Sequence, residues 1–228
     1  MVYDRNMKFD AVLFDAAETL FTTRGSVGEI YGRVARDYGC TASSASIQAA
    51  FVRQFQNSGP LAADNEKPWW RDVVHRVFSD VGMVRNFEDF FGKVYDQFRD
   101  GGNWILFPET RGVLDELKTR GLKLGVISNF DSRVYDVMRS LDILAFFDSV
   151  TISSETGYAK PDPRIFAAAI EAVGLNASQI LFVGDSLHDD VLAGSRAGVH
   201  SILIDRSGRH ANAGVIKVGN LQEILTLI

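Results

Sequence analysis

The chain has 228 residues, 46% hydrophobic and 23% charged, enough apolar material for one globular domain or for a domain carrying a smaller inserted one. A formal net charge of -5 and a pI near 5.4 provide no basic field to draw it to nucleic acid or an anionic lipid surface, so neither is expected as a partner. Cys40 is the single cysteine and excludes an internal disulfide, no apolar run of about 18 residues exists to cross a membrane, and the opening "MVYDRNMKFD" is charged where a secretory leader is apolar. The expectation is a soluble, cytoplasmic protein in which the residues before Met7 form an extension.

The first element is a strand over residues 9–15, whose apolar run "AVLF" ends on Asp15. From Thr22 to Gly102 the periodicity is helical. Val34 and Tyr38, then Ile47, Phe51 and Phe55, then Trp70, Val73, Val74, Val77 and Val81, then Phe87, Phe91, Val94 and Phe98 recur mostly at three- or four-residue steps, which predicts four amphipathic helices. Trp69 and Trp70 cannot share a helix face, so one is expected in the core and the other against the rest of the protein or at a substrate entrance. Gly101, Gly102 and Asn103 close the helical block with turn-prone residues.

Beyond Trp104, short apolar runs alternate with helical stretches. "LKLGVIS", "FFDSVTIS", "QILFVGD", "HSILID" and "GVIKV" are each of strand length. The clearest helix start is "KPDPRIF", where Asp162 can cap, Pro163 fits the first helical position and Gly174 stops the helix. Alternating strand and helix predicts an α/β fold, a Rossmann-like parallel sheet with helices on both faces, because parallel strands need crossover connections that place helices on the sheet. The core is expected to comprise residues 1–21 and 103–228, with residues 22–102 as a four-helix insertion.

In an open parallel sheet, ligands bind beyond the carboxyl ends of the strands. The polar residues there are Asp15 after "AVLF", Ser128 and Asn129 after "LGVI", Lys160 before its capped helix, and Asp185 with Asp189 and Asp190 after "ILFV". Singly, each has a plainer reading as a turn residue, a helix cap, a solvated lysine or an acidic helix start. Together they make a nucleophilic carboxylate, a hydroxyl, a cation and an acidic metal corner, the parts for phosphoryl transfer through an aspartyl intermediate.

The ordered set "VLFDAAETL", "VISNF", "AKPDPRIF" and "VGDSLHDDVLAG" resembles the four motifs of the haloacid dehalogenase (HAD) superfamily, and it spans nearly the whole chain apart from the insertion. The resemblance implies a hydrolase with a Rossmann-like core and makes the helical insertion a cap domain over the active site. It implies a magnesium-dependent phosphatase acting on a small phosphorylated metabolite. Asp15 then corresponds to the nucleophile, Ser128 to the phosphate-binding hydroxyl with Asn129 beside it, and Lys160 to the cation that steadies nucleophile and phosphate. Asp185 corresponds to a Mg²⁺ ligand beside Asp15 and the backbone carbonyl of Ala17, and Asp190, in preference to Asp189, to the carboxylate that supports the metal.

Ala17 departs from the pattern. Most phosphatases of this superfamily have there an aspartate that protonates the leaving oxygen and then activates water, work worth about 10²- to 10⁴-fold. Three explanations follow. The leaving group needs little protonation, as in acyl or aryl phosphates; or Glu18, His188 or His75 substitutes; or the chemistry differs. Dehalogenases of the superfamily lack that aspartate but need no metal, which the acidic corner argues against. Its phosphonate hydrolases combine alanine with magnesium but need a cap lysine, for which Lys67 and Lys93 are the candidates, each more simply a surface lysine. A phosphate- and metal-binding protein with little turnover is the remaining alternative. Arg71 is read as a solvated helix arginine, and His200, His210 and Cys40 carry no assignment.

Overall fold

The runs "AVLF", "LGVI" and "ILFV" become strands buried on both faces, and the polar residues that follow them emerge at the carboxyl ends of the sheet. The computed structural model describes residues 8–59, 61 and 63–228, so the extension before Met7 lies outside the described residues. Strand β1 (Ala11–Phe14) is followed by a short strand β2 (Phe21–Thr23), by helices α1 (Val27–Asp37), α2 (Ser44–Gln56), α3 (Glu66–Val81) and α4 (Phe87–Gln97), and by a third strand β3 (Trp104–Leu106). Then come α5 (Thr110–Thr119), β4 (Lys123–Ser128), α6 (Arg133–Ser140), β5 (Ser149–Ile152), the single helical turn α7 (Ser153–Thr156), α8 (Pro163–Val173) and β6 (Ile180–Gly184). A π-helical segment, Leu187–Leu192, runs into α9 (Ala193–Arg196), and β7 (His200–Ile204) and β8 (Lys217–Val218) complete the sheet. No helix among the described residues is long and apolar enough to cross a membrane.

The six-stranded sheet has the order β5-β4-β1-β6-β7-β8, with every neighbouring pair parallel. Alternation of side chains places Val12 and Phe14 on one face, packed with Val113, Leu114, Val134 and Val137 of α5 and α6. Ala11 and Leu13 lie on the other face, with Ile165, Phe166 and Ala169 of α8. Both faces are therefore covered by helices, as the alternating pattern requires. Strand order reverses at β1, which has β4 on one side and β6 on the other, and that switch point opens a crevice at the carboxyl ends. Phe14 pairs with Val126 and with Val183, so Asp15, Ser128 and Asp185 all emerge there.

Helix α8 starts as its sequence dictates. The Asp162 carboxylate accepts from the Arg164 N–H at 2.9 Å, Pro163 takes the first position, and Gly174 closes the helix at φ 70. This start leaves Lys160 at the crevice.

The four helices between β2 and β3 form the cap. Tyr31, Ile47, Phe78 and Phe90 are buried within it. Helices α1 and α2 cross closely at Gly28, where an added Cβ would lie 2.2 Å from the Ser44 carbonyl oxygen. Strands β2 and β3 pair antiparallel, Thr23 opposite Trp104, and tie the two ends of the insertion together. Nothing in the sequence announces this ribbon, whose strands are three residues each, too short to carry a period.

Candidate active site

The hub of the crevice is the carboxylate of Asp15. Its backbone N–H donates to the Val183 carbonyl at 2.9 Å, which extends the β1–β6 ladder and fixes the side chain at the strand end. The Lys160 ammonium donates to Asp15 Oδ1 and to Asp190 Oδ1, both at 2.6 Å, and to the Ile127 carbonyl at 3.0 Å. The Ser128 hydroxyl lies 3.4 Å from the same Asp15 oxygen. Asn129 acts on the lysine's backbone: its amide donates to the Lys160 carbonyl at 2.8 Å and its oxygen accepts the Lys160 N–H at 2.7 Å. These two bonds hold the residue that carries the cation.

The π-helical segment turns the two adjacent aspartates in different directions. Asp190 turns inward, 2% exposed, and its second oxygen accepts from the Ser186 N–H at 2.9 Å. Its carboxyl carbon occupies the space beside Gly184, where an added Cβ would approach it to 2.4 Å, so the glycine makes room for the acid. Asp189 turns outward, with an oxygen 2.7 Å from His188 Nδ1 and its side chain 43% exposed. Asp15, Asp185 and Asp190 each offer one oxygen, all within 4.8 Å of one another.

Three carboxylates facing one ammonium leave two negative charges uncompensated when all are ionised. Burial pushes the Asp15 carboxyl up to about 6 although Lys160 beside it acts in the opposite direction. Asp185 is pushed up to about 8, by burial first and then by the charges of Asp15 and Asp190. Burial opposes the charge on Lys160, but Asp15 and Asp190 outweigh it and hold the ammonium above the ordinary lysine range. The donor set, hard carboxylate oxygens with excess negative charge, fits a divalent cation such as Mg²⁺.

Residues 9–198 match the haloacid dehalogenase-like hydrolases. The chain belongs to this family. Haloacid dehalogenase-like hydrolase domain-containing protein 3 of Danio rerio is 32% identical over 204 residues, which cover 86% of this chain and 84% of that protein. Two solved structures share the fold. The HAD-hydrolase YfnB of Bacillus subtilis, bound to magnesium, superposes with a TM-score of 0.79 at 16% identity, covering 95% of this chain and 97% of that one. The L-2-haloacid dehalogenase of Xanthobacter autotrophicus does so with a TM-score of 0.73 at 19% identity, covering 95% and 96%.

Above Asp15 this HAD hydrolase has a cavity of about 410 Å³ between core and cap. Ala17, half-buried, and Glu18 line it, and a Glu18 oxygen accepts from the Thr22 hydroxyl at 2.6 Å. Of the three substitutes for the missing acid, only Glu18 is among the lining residues. His75 packs edge-on against Phe87 at 5.0 Å, and His188 is exposed beside Asp189. Lys67 lies over Tyr95 at 5.5 Å and Lys93 over Tyr38 at 5.1 Å, away from the cavity. Arg71 pairs with Glu88.

The tryptophan pair departs from expectation, since neither residue is fully buried. Trp69 donates to the Gly59 carbonyl at 2.9 Å, whereas Trp70 lines the cavity and its indole N–H donates to Asp131 of the core. Asp131 is wholly buried and forks onto Arg133, with Nε at 2.9 Å and Nη2 at 2.5 Å. The Arg133 guanidinium also lies 4.1 Å from the Tyr95 ring centroid and 4.9 Å from that of Trp70. The Ser132 N–H donates to Glu66 of α3 at 2.9 Å. The segment that follows Ser128 and Asn129 is thus fastened to the cap. Asp131 and Arg133 carry no motif that singles them out in the sequence, and Asp131 also accepts the Arg133 N–H at 2.9 Å at the start of α6.

Proposed function

We propose that the protein is a magnesium-dependent phosphatase that acts on a small phosphorylated metabolite through an aspartyl-phosphate on Asp15. The observation that carries this reading is the convergence on Asp15 Oδ1 of Lys160 at 2.6 Å and Ser128 at 3.4 Å, with Asp185 and Asp190 alongside. In this reading a carboxylate oxygen of Asp15 bonds to phosphorus as the bond to the leaving oxygen breaks, and water then hydrolyses the aspartyl-phosphate to free phosphate and the original carboxylate. Ser128 and the adjacent Asn129 backbone hold the phosphoryl group, and Lys160 offsets its charge. Asp15, Asp185 and the carbonyl of Ala17 would hold Mg²⁺ with Asp190 in support, and the ion would supply charge neutralisation on the phosphoryl oxygens. Residues 22–102 act as the cap that selects the substrate, and residues 1–21 and 103–228 as the catalytic core.

Because Ala17 supplies no acid, the favoured substrates are those whose leaving group departs unaided, acyl or aryl phosphates. A dehalogenase would share Asp15 and Ala17, but the inward turn of Asp190 and its pairing with Lys160 favour a site that handles a cation and phosphate. The positions of Lys67 and Lys93 weigh against a phosphonate hydrolase.

The test is inorganic phosphate release from acetyl phosphate, 4-nitrophenyl phosphate and a set of sugar and nucleotide phosphates, with Mg²⁺ and with EDTA, using Asp15→Asn as control. Magnesium-dependent release, strongest with acetyl and 4-nitrophenyl phosphate and abolished in the variant, is expected. Release that persists in purified Asp15→Asn, or none from any substrate, would sink the reading.

A further inference from the structure

The cap wall over Asp15 has an unusual composition for a site that meets a charged metabolite. Six cap residues line the cavity: Val27 and Tyr31 from α1, Phe51 and Phe55 from α2, Trp70 from α3, and Phe98 just after α4. None carries a charge, and the Tyr31 hydroxyl is the one side-chain oxygen among them. On the core side Phe130 and Trp104 add two more rings, 5.7 Å apart. Phe51 and Trp70 lie within 4° of parallel with centroids 6.5 Å apart, and Phe55 lies within 24° of Trp70 at 5.7 Å. These three make one cluster of near-parallel rings on the cap side of the cavity. Phe55 is 37% exposed, so part of a large apolar side chain faces open space at the rim.

Apart from Lys160, Arg133 is the one cationic residue on the wall among the described residues, and its charge is already paired with buried Asp131. Asp131 takes Nε and Nη2, and the Tyr95 carbonyl takes Nη1 at 3.3 Å. A second phosphate or carboxylate on the substrate would find no unpaired cation on the lining, and on the cap side a sugar hydroxyl would meet one side-chain oxygen, that of Tyr31. A flat apolar ring would bury its faces against like surface.

Position 17 points the same way for an independent reason. Without an acid the leaving oxygen must depart as its anion, and a phenolic oxygen with a pKa of about 10 does so far more readily than an alkoxide, near the ~16 of water. We infer that the substrate is the phosphate monoester of an aromatic hydroxyl, its ring held by Phe51, Phe55 and Trp70 and its phosphate presented to Asp15. This rests on the phosphatase reading above. The Asp15 oxygen bonds to phosphorus, the bond between phosphorus and the aryl oxygen breaks, and both electrons leave on that oxygen as a phenolate, which takes its proton from solvent.

The experiment measures kcat/KM of the full chain with Mg²⁺ on 1-naphthyl phosphate, phenyl phosphate, glycerol 3-phosphate and acetyl phosphate. Phe51→Ala and Phe51→Leu are assayed in parallel. Naphthyl phosphate is expected to exceed phenyl phosphate by about tenfold, chiefly through KM, and glycerol 3-phosphate to be the poorest. The naphthyl-to-acetyl ratio of kcat/KM is expected to fall about tenfold in Phe51→Ala and by less in Phe51→Leu, which keeps apolar bulk without the flat face. If Phe51→Ala does not fold, the ratio in Phe51→Leu decides alone. Asp15-dependent release from acetyl phosphate, with naphthyl phosphate no better than glycerol 3-phosphate or a ratio unmoved by the Phe51 variants, overturns the aromatic assignment and leaves the phosphatase reading standing. No release from any of the four overturns both.

Discussion

Replacing Lys160 with methionine tests the electrostatic account of the site. The ammonium sits 2.6 Å from Asp15 and 2.6 Å from Asp190, with its side chain 3% exposed. Methionine has similar bulk but leaves two buried carboxylates facing each other without a cation. Breaking a buried pair in this way costs about 3–5 kcal/mol. For a chain of this length that corresponds to a fall in Tm of about 6–20 °C. The loss should depend on pH. The carboxyl of Asp15 is already pushed up to about 6 and that of Asp185 to about 8, and loss of the lysine raises carboxyl values in the cluster further. A carboxyl whose folded value exceeds its unfolded one contributes stability that is fully present below the unfolded value, near 3.8 for these aspartates. That contribution is lost as pH rises through the folded value. The lysine's own elevated value keeps it charged in the wild type throughout this range. The deficit of Lys160→Met should therefore be small near pH 4 and grow through the window between about 6 and 8. Thermal unfolding of both proteins in EDTA across that range checks it. An equal loss at both ends, or no loss at all, refutes the reasoning.

Two further outcomes are expected. Mg²⁺ should raise Tm more at about pH 8 than at about pH 5, because the ion must displace protons from carboxyls held at high values; equal gains by thermal shift would place the ion elsewhere. Ala17→Asp should speed hydrolysis of alkyl phosphates more than that of acetyl phosphate, by up to about 10²-fold, since only the poorer leaving group gains from an acid. Equal or reduced rates on both substrates in a steady-state assay would count against the idea that the absent acid limits alkyl esters.

Much of this architecture could be read along the chain. Strands β1, β4 and β6 are legible because both faces are buried, which makes each a continuous apolar run, and α8 announces itself through Asp162, Pro163 and Gly174. What was not legible depends on partners distant in sequence. Strand β2 acquires its identity from Trp104, 81 positions beyond Thr23 in the register, and nothing in three residues foretells that pairing. Composition could rank Asp190 above Asp189 only by analogy. The choice rests on the π-helical geometry and on the space beside Gly184. Helical spacing likewise says that Trp69 and Trp70 diverge, but not that the indole of Trp70 finds a buried aspartate 61 positions away.

That tryptophan contact bears on how the cap can move. One loop carries Ser128 and Asn129 at the reacting end, Phe130 in the cavity wall, Asp131 beneath Trp70, and Ser132 against Glu66. The surroundings of Asp15 and the cap are therefore joined through five consecutive residues, 128–132. The charged pair within this loop, Asp131 with Arg133, lies wholly on the core side, so lifting α3 away would not orphan a buried charge. What must break there is the indole bond to Asp131, the Arg133 bond to the Tyr95 carbonyl, the stacking of that guanidinium on Trp70 and Tyr95, and the exposed Glu66 contact. Each of these bonds has one charged partner and so contributes about 1.5–3 kcal/mol net, against about 3–5 for leaving a buried ion without its counter-charge. Elsewhere the cap is held to the core by the Arg99–Asp136 ion pair at 2.6 Å and by the aromatic lining, which a bound ring would strengthen by contacting cap and core together. Closure would then be tightest with substrate in place and weakest once the phenolate has left.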